Sequence, residues 1–524
     1  MTIHILKNAK IYTGHPATPW AEALAIVDGC IRALNGDALA WRDAPGSEVE
    51  DLESALVLPG LTDGHIHLMW YANSLRALNL RDCTRQGTMN QVADRAAELP
   101  PGRWIIGRGW DQNTWEDSTF PSAQELDRVA PHHPVALTAK SGHAMVVNSA
   151  ALEAAEVTAK TPDPVHGRFA RDGEGQPTGM AFEHAMNLIK GAIPPIPLHE
   201  TVDLLDQAQN HLLRLGITGV HDVDGEPAFS ALQTLRVEKR LRLRVVKYIR
   251  RNVLDEALEL GLRTGFGDDH LRLGGLKLFA DGALGARTAA MFEPYEGEPG
   301  NRGILTLEID QLREIARRAA QGGLAMAIHA IGDRTNRRVL DVLEEVQPLA
   351  PYLRHRVEHV QLIEPEDQKR LADAGLVASM QPIHAVHDIG MAERYWGTRS
   401  RNAYAWRSLK EAGAILAFGS DAPIEIFDPF AGLYAAVTRR SDTDGAPGPQ
   451  GWYPEQRLSL SEAIDAYTWG AAYAAGIEDR LGRLTPGYHA DLIVLDRDIF
   501  SLAPDALLET EVQRVMIAGV WQNL

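Results

Sequence analysis

Short apolar runs alternate with helical patterns along most of the chain. Runs of this length, bounded by Gly, Pro or Asp, indicate strands that are buried on both faces. Eight candidates lie at 58–69, 217–223, 243–249, 273–282, 324–333, 354–360, 376–384 and 415–423. Because helical patterns such as 307–323 follow most of them, we predict a parallel sheet. Eight such units predict an α/β fold whose centre is a closed (β/α)8 TIM-like barrel over residues 58–486.

The two ends of the chain carry a different pattern. Residues 3–60 alternate short apolar runs with turn residues, which is typical of a small β-meander. Two further strand patterns lie near 489–496 and 512–521. We therefore predict that residues 1–57 and 487–524 form one composite β-sandwich domain, to which both termini contribute.

One connection in the predicted barrel is much longer than the others. Strand one ends near residue 69 and strand two begins near residue 217, a separation far beyond an ordinary loop. This segment contains its own apolar stretches, including GRGWDQNTW and SGHAMVVNSAAL. We therefore predict an inserted α+β subdomain over residues 84–185, after strand one.

Composition narrows the classes of partner. The chain of 524 residues has 52 basic and 70 acidic side chains, which gives a formal net charge of -18. Such a surface repels nucleic acid and anionic membranes, so we expect neither as a partner. Two cysteines do not make a disulfide framework, and the first residues lack the apolar run of a signal peptide. The expected location is the cytoplasm.

Candidate metal ligands lie near the carboxyl ends of the predicted strands, where barrel active sites form. Strand one ends in His65 and His67, and alternate residues of a strand face the same side. Neutral imidazole is a common ligand of zinc and similar ions. An HxH pair is weak evidence by itself, because two histidines also occur in ordinary turns.

Four more predicted strands each carry one candidate metal ligand near the carboxyl end. Lys277 lies in an apolar run and is either carbamylated into a metal ligand or paired with an acid such as Asp281. His329 and His359 each follow apolar residues, as core histidines also do, and Asp421 follows strand eight. Buried residues without a shared function would not be expected at the same end of five strands. The conjunction therefore predicts a metal centre.

Longer motifs make the resemblance to a known family specific. They include PGLTDGHIHLM, SGHAMVVNSAAL, LKLFADGALGARTAA, AIHAIGDRTNRRVLD, RHRVEHVQLI, FGSDAPIEIFDPF and GRLTPGYHADLIVLD. With these motifs the chain resembles the amidohydrolase superfamily over nearly its whole length. Within it, the chain is similar to the YtcJ-like branch, amidohydrolase family 3, which includes N-substituted formamide deformylases.

The resemblance implies a role for each matched residue. His65 and His67 would bind the more buried metal, and His329 and His359 would bind a second. Lys277 would bridge two ions as N6-carboxylysine, and Asp421 would contact metal and move the proton. The implied cofactor is a divalent metal, zinc by preference, as one or two ions. The resemblance is also compatible with a homodimer.

The expected reaction is hydrolysis of a C–N bond in a small amide, formamide or N-acyl compound by metal-activated water. The alternative on the same scaffold is deamination or cyclic amide opening, because a fold does not settle chemistry. A non-catalytic scaffold protein is a third class, and the complete ligand set argues against it. The enzyme would thus act on carbon–nitrogen bonds other than peptide bonds.

Further positions are candidates for contacts with substrate. His143, in the predicted insertion, is either a catalytic donor to the oxyanion or a structural loop histidine. Trp110 and Asp111 either reach the barrel mouth or belong to the core of the insertion. Arg287 either binds an anionic group or pairs with a structural acid, and His384 either touches substrate or is solvated.

Overall fold

The barrel is the largest sheet of the computed structural model, which describes residues 2–81, 83–140, 142–165 and 167–524. Its eight parallel strands are hydrogen-bonded in chain order. They are Leu61–Ile66 (β1), Ile217–Asp222 (β2), Arg244–Arg250 (β3), Leu271–Phe279 (β4), Met326–Ala330 (β5), Arg356–His359 (β6), Val377–Met380 (β7) and Ile415–Phe418 (β8). Asp421 N donates to His65 O and His67 N donates to Ala422 O, so the segment after β8 joins β1. The predicted barrel is confirmed.

Helices follow most barrel strands and cover them. The helix after β5, Asp333–Val346, buries Asn336, Val339, Leu340 and Leu343, the spacing of an amphipathic helix. Two helices cross the limits of the inserted segment, Leu68–Arg76 at its start and Leu198–Arg214 at its end. The other helices outside that segment are Asn35–Leu39, Glu226–Val237, Leu254–Glu259, Ile309–Gln321, Asp333–Val346, Pro365–Asp373, Pro382–His387, Ile389–Trp396, Trp406–Glu411, Pro429–Thr438, Leu460–Tyr467 and Trp469–Ala474. Along the described ranges, every helix is too short or too polar to cross a membrane.

The seventh strand is shorter than its apolar pattern predicts. The sequence favours a strand over 376–384, whereas β7 ends at Met380 and a helix covers Pro382–His387. Proline has no backbone N–H and has a fixed φ, so Pro382 ends the ladder and suits the first turn of a helix. His384 therefore lies on a helix that follows β7 rather than on the strand itself.

Both ends of the chain build two further sheets. The first contains Cys30–Leu34, Leu24–Val27, Ile3–Lys7 and Ser47–Asp51, in that spatial order. The second contains Val520–Trp521, Val512–Ile517, Leu492–Leu495, Leu56–Pro59, Lys10–Tyr12 and Trp20–Ala21. Leu6 and Ile26 of the first sheet share a buried cluster with Val57, Leu492 and Met516 of the second. The two sheets are thus held together by one apolar core.

The segment between β1 and β2 contains a compact unit of its own, Ala72–Glu200. Its mixed six-stranded sheet has the order Gly167–Arg171, Pro177–Glu183, Ala144–Val147, Val135–Ala139, Ile105–Trp110 and Leu78–Asn79. Helices Arg85–Glu98, Ala123–Val129, Ser149–Ala154 and Ala185–Ala192 complete it. This α+β unit is the predicted insertion, and its observed limits are wider than the predicted 84–185.

Candidate metal centre

His65 and His67 meet Asp421 at the carboxyl end of the barrel. His65 lies within β1 and His67 directly follows it, and both side chains are buried. The Nε2 atoms of His65 and His67 lie 3.4 Å and 3.5 Å from Asp421 Oδ1. The three residues can each offer a ligand atom, and these atoms lie within 4.8 Å of one another. They form the first ligand group.

Buried carboxylates hold the opposite edges of the two imidazoles. His65 Nδ1 is hydrogen-bonded to the Glu358 carboxylate, and His67 Nδ1 lies 2.9 Å from Asp224 Oδ1. A carboxylate accepts a hydrogen bond from an Nδ1 that carries the proton. In the neutral imidazole the free lone pair then lies on Nε2. Burial, followed by the nearby positive charge of Lys277, lowers the pKa of His65 to about 4. Burial thus favours the neutral imidazole that metals bind, and the carboxylate at Nδ1 leaves Nε2 as the ligand atom.

A second ligand group contains His359, His384 and the same Asp421. Asp421 Oδ2 lies 3.8 Å from His384 Nε2. Two amide side chains back these imidazoles, since His359 Nδ1 lies 2.8 Å from Gln381 Oε1 and His384 Nδ1 lies 3.3 Å from Gln361 Nε2. Asp421 therefore belongs to both groups and lies between them.

The backbone at the site departs from strand geometry. His359 has φ 76° and Asp421 has φ 59°, the left-handed region that non-glycine residues rarely adopt. Such conformations cluster at functional sites, where the surrounding contacts enforce them. Here Asp421 N donates to His65 O over 2.7 Å, which fixes the loop against β1.

His329 lies next to His359 but outside both ligand groups. The ring centroids of the two histidines are 4.5 Å apart. His329 Nε2 lies 2.9 Å from the carbonyl oxygen of Gly282 and 3.4 Å from Asp281 Oδ1, so this atom is engaged with the loop after β4. Burial lowers the pKa of His329 to about 4. His384, which is predicted to contact substrate, thus lies with His359 in the second ligand group. The resemblance to the family implies His329 in that place.

Lys277 lies in β4 with its side chain fully buried. Among the described residues, no side chain or backbone group accepts a hydrogen bond from its ammonium, which lies 4.8 Å from the ring centroid of Phe279. Of the two alternatives for Lys277, a hydrogen bond to Asp281 is not formed, and Asp281 accepts from the backbone N–H groups of Ala290, Ile331 and Gly332. Burial lowers the pKa of Lys277 to about 8.

The polar atoms at this end of the barrel fit a divalent metal. Within the described part of the chain, His384 Nε2, Asp421 Oδ1 and Lys277 Nζ are buried without a hydrogen-bond partner. A buried polar atom without a partner is costly, and a cation satisfies imidazole and carboxylate atoms together. Imidazole and carboxylate are ligands of zinc and its neighbours. The donor set therefore fits the implied metal.

Four other predicted residues have local partners. Arg287 lies after β4 and forms an ion pair with Glu298. This is the alternative in which Arg287 pairs with an acid of the protein itself. Trp110 is fully buried in the core of the inserted unit and donates from Nε1 to Leu137 O, which is the second of the two alternatives for this residue. The remaining two also lie in that unit: the backbone carbonyl oxygen of Asp111 accepts from the Thr114 hydroxyl, and Nδ1 of exposed His143 lies 3.1 Å from the Glu183 carboxylate.

The carboxylates that support the candidate ligands, Asp224 and Glu358, are not among the residues predicted from the sequence. Asp224 lies two residues after β2, in HDVDG, and so has the same position as the candidate ligands of the other strands. Glu358 is two residues from Arg356 on β6, a spacing that places both on one face. Arg356 pairs with Glu358 and also bonds Ser379, which keeps the buried carboxylate charged.

Comparison with known proteins agrees with this architecture. The model of the amidohydrolase family matches residues 48–521. The Bacillus subtilis (strain 168) protein YtcJ is 33% identical over 97% of this chain and 97% of its own length. The N-substituted formamide deformylase of Arthrobacter pascens is 28% identical over 98% and 97%. An uncharacterized metal-dependent hydrolase from Pyrococcus horikoshii OT3 superimposes with a TM-score of 0.83 at 30% identity, covering 96% of this chain and 99% of that one. The chain belongs to the amidohydrolase family and is a hydrolase of that family.

Proposed function

We propose that the protein hydrolyses a C–N bond in a small amide, formamide or N-acyl compound with the help of a bound divalent metal. The observation that carries this proposal is the convergence of four buried imidazoles and the Asp421 carboxylate at one end of the barrel. The N-substituted formamide deformylase among the relatives supports the choice of an amide-like bond.

The metal would be held by His65, His67 and Asp421, and a second ion by His359, His384 and Asp421. A divalent cation in such a site lowers the pKa of water and polarises a carbonyl oxygen. The imidazoles contribute by staying neutral, which burial favours in His65 and His359. Zinc is our proposed metal, since the donors are nitrogen and carboxylate oxygen.

Asp421 is the proposed general base and acid. Its Oδ1 is buried and, among the described residues, has no hydrogen-bond donor, so it can accept a proton from attacking water. The same carboxyl group would then deliver that proton to the leaving nitrogen, which departs as an amine. The C–O bond forms as the C–N bond breaks, and the products are a carboxylic acid and an amine.

Two exposed aromatic rings lie beside the metal ligands. Trp70 stacks on His67 with centroids 4.9 Å apart, and Phe279 lies 5.4 Å from His329. Their side chains stay 51% and 38% exposed, which leaves ring surface for a ligand. We therefore propose an apolar substituent on the amide. His143 and Arg287 remain untested predictions for polar contacts.

Replacement of Asp421 tests the proposed reaction. Asp421→Asn keeps the shape but removes the base, so kcat for N-formyl and N-acyl amines should fall by about 10²–10⁴-fold. Rates of the metal-loaded protein and identification of the acid and amine products provide the measurement. Asp444→Asn, in an exposed loop, is the matched control and should leave kcat unchanged. Turnover of esters or aminopurines alone, with every amide inert, would contradict the proposed chemistry.

A further inference from the structure

A second cluster of chemically reactive side chains lies at the end of the barrel opposite to the metal centre. It consists of Cys30, His489 and Asp269, the last of which lies two residues before β4. We propose that Cys30 is a modification site, a nucleophilic thiol that exchanges with low-molecular-weight disulfides. The cluster shares no residue with the candidate metal ligands, so this site is independent of the proposed hydrolysis.

The backbone holds the thiol and the imidazole side by side. Cys30 begins a strand of the first terminal sheet, and it forms an antiparallel bridge with His489. The next residue, Ile31, donates from its backbone N to Tyr488 O over 2.8 Å. Residues directly opposite each other in an antiparallel pair have neighbouring side chains on one face. The contact between thiol and imidazole is therefore fixed by the sheet register.

The three side chains are arranged as a nucleophile, a base and a group that orients the base. Cys30 Sγ lies 3.8 Å from His489 Nδ1, and His489 Nε2 lies 3.0 Å from Asp269 Oδ2. The other oxygen of Asp269 accepts from Arg480 Nε at 3.2 Å, which fixes the carboxylate. A carboxylate that holds the proton on Nε2 leaves the lone pair of Nδ1 for the thiol. An adjacent base oriented in this way activates a cysteine as a nucleophile.

Arg244 adds a positive charge to the same cluster. Its Nη1 donates to the carbonyl oxygen of Asp269 at 3.1 Å. Despite burial, Asp491 raises the pKa of Arg244, and Asp269 and Cys30 act in the same direction. The guanidinium thus lies within electrostatic reach of the Cys30 sulfur. Nearby cationic groups favour the thiolate, which is the form of cysteine that attacks.

The surroundings of the thiol favour modification by a small reagent over a second hydrolytic centre. Cys30 is half-buried, and the side chains of His489 and Asp269 are 22% and 34% exposed, so a small molecule can reach the cluster from solvent. The neighbouring cavity, lined by Arg244 and Asp491, has a volume of about 30 Å³. This is roughly the volume of one water molecule, so the cavity has no room for a substrate.

The exchange balances with a disulfide as the only co-reactant. His489 Nδ1 takes the proton of the thiol, and the sulfur of Cys30 attacks one sulfur of the disulfide. The new S–S bond forms as the old one breaks, and the departing thiolate takes the proton back from His489. The products are a mixed disulfide at Cys30 and one free thiol.

The two cysteines of the chain provide a matched comparison. Cys83 is also half-buried, and its sulfur contacts only the Asn79 carbonyl oxygen and the Gln91 amide among the described residues. The full-length Cys83→Ser protein therefore reports on Cys30, and Cys30→Ser reports on Cys83. With dithiodipyridine, which releases a coloured thiopyridone, Cys30 should react at least about tenfold faster than Cys83 at about pH 7.

Removal of the base tests the role of His489. In the Cys83→Ser protein, His489→Gln should slow Cys30 by about tenfold at about pH 7. The rate should recover at about pH 10, where a thiol ionises without help. Asp269→Asn should give a smaller loss with the same recovery, as expected of a residue that positions His489. Thermal melting of each variant verifies that it folds.

Mass spectrometry identifies the modified residue. Incubation with oxidised glutathione should add one glutathionyl group to the Cys83→Ser protein and none to the Cys30→Ser protein, and dithiothreitol should remove it. Equal rates of the two thiols, absence of the adduct, or a loss in His489→Gln that persists at high pH would each overturn the site. If His489→Gln does not fold, an unchanged rate in Asp269→Asn would overturn it instead.

Discussion

At the scale of single residues, burial decides the chemistry of this site. His65, His359 and Lys277 are positioned where water does not stabilise their charged forms, and burial lowers the pKa of each. Neutral imidazoles and a partly neutral amine are good electron-pair donors. The same residue types on the surface would be protonated more readily and would bind a cation less well.

Lys277 offers a test at this scale. With its pKa lowered to about 8, a useful fraction of the amine is neutral near pH 7.5 and can attack carbon dioxide. The N–C bond forms, one proton is released, and the product is the carbamate that the family resemblance implies as a bridging metal ligand. We expect the protein in bicarbonate with Zn²⁺ to gain the mass of one carbon dioxide in native mass spectrometry.

Lys277→Arg is the matched control, because arginine keeps a positive charge but does not form a stable carbamate. This variant should show no mass gain and a lower affinity for the second ion. An equal mass gain in both proteins would place the modification elsewhere and contradict a carboxylated Lys277.

At the scale of elements, the loops after β7 and β8 are joined by a charged contact. His387, at the end of the helix Pro382–His387, bonds Glu425 at 2.7 Å and Asp442 at 2.9 Å. These hydrogen bonds, to Asp442 first and Glu425 second, raise the pKa of His387 to about 10 despite burial. The contact links the helix that carries His384 to the segment that follows Asp421.

The contact predicts a particular pH dependence of stability. The folded pKa of His387 exceeds its ordinary value of 6.5, so its contribution is fully present below 6.5, provided that both carboxylates are ionised. The contribution declines as pH rises and is lost once pH passes about 10. The Tm difference between the natural protein and His387→Gln should therefore be large near pH 6 and vanish near pH 10.5. A difference that is constant across this range would contradict the assignment.

At the scale of the whole molecule, the terminal sheets and the barrel are connected by a buried ion pair. Arg244, at the start of β3, donates to Asp491 through Nε and, at 2.9 Å, through Nη2. Asp491 also accepts from Ala518 N, so a residue near the C-terminus is held in the same network. Both side chains are largely excluded from water.

Removal of one partner should therefore be costly. Asp491→Ala leaves a buried guanidinium unpaired, and we expect the free energy of unfolding to fall by about 3–5 kcal/mol. Denaturant titration followed by tryptophan fluorescence measures the change. Replacement of both residues, Arg244→Met with Asp491→Leu, should cost clearly less, because no charge is left unpaired. Equal losses in both variants would show that the pair itself is unimportant.

The sequence alone predicts the barrel and most of the candidate metal ligands. Alternation of apolar runs with helices fixes the number and direction of the strands, since eight βα units close into a barrel. Residues such as His65, His67 and Asp421 lie at the carboxyl ends of their strands, and this end is known once the strands are known. These features depend on local pattern and chain direction.

Only the tertiary structure decided which candidate ligands lie together. Glu358 and Asp224 contact His65 and His67 across 293 and 157 residues of sequence, and no local pattern encodes such pairs. In the structure, Nε2 of His329 contacts the carbonyl oxygen of Gly282. His384 lies beside Asp421, because β7 ends at Met380 and the chain continues as a helix. Local periodicity determined the scaffold, whereas the direction of each ring followed from packing between distant strands.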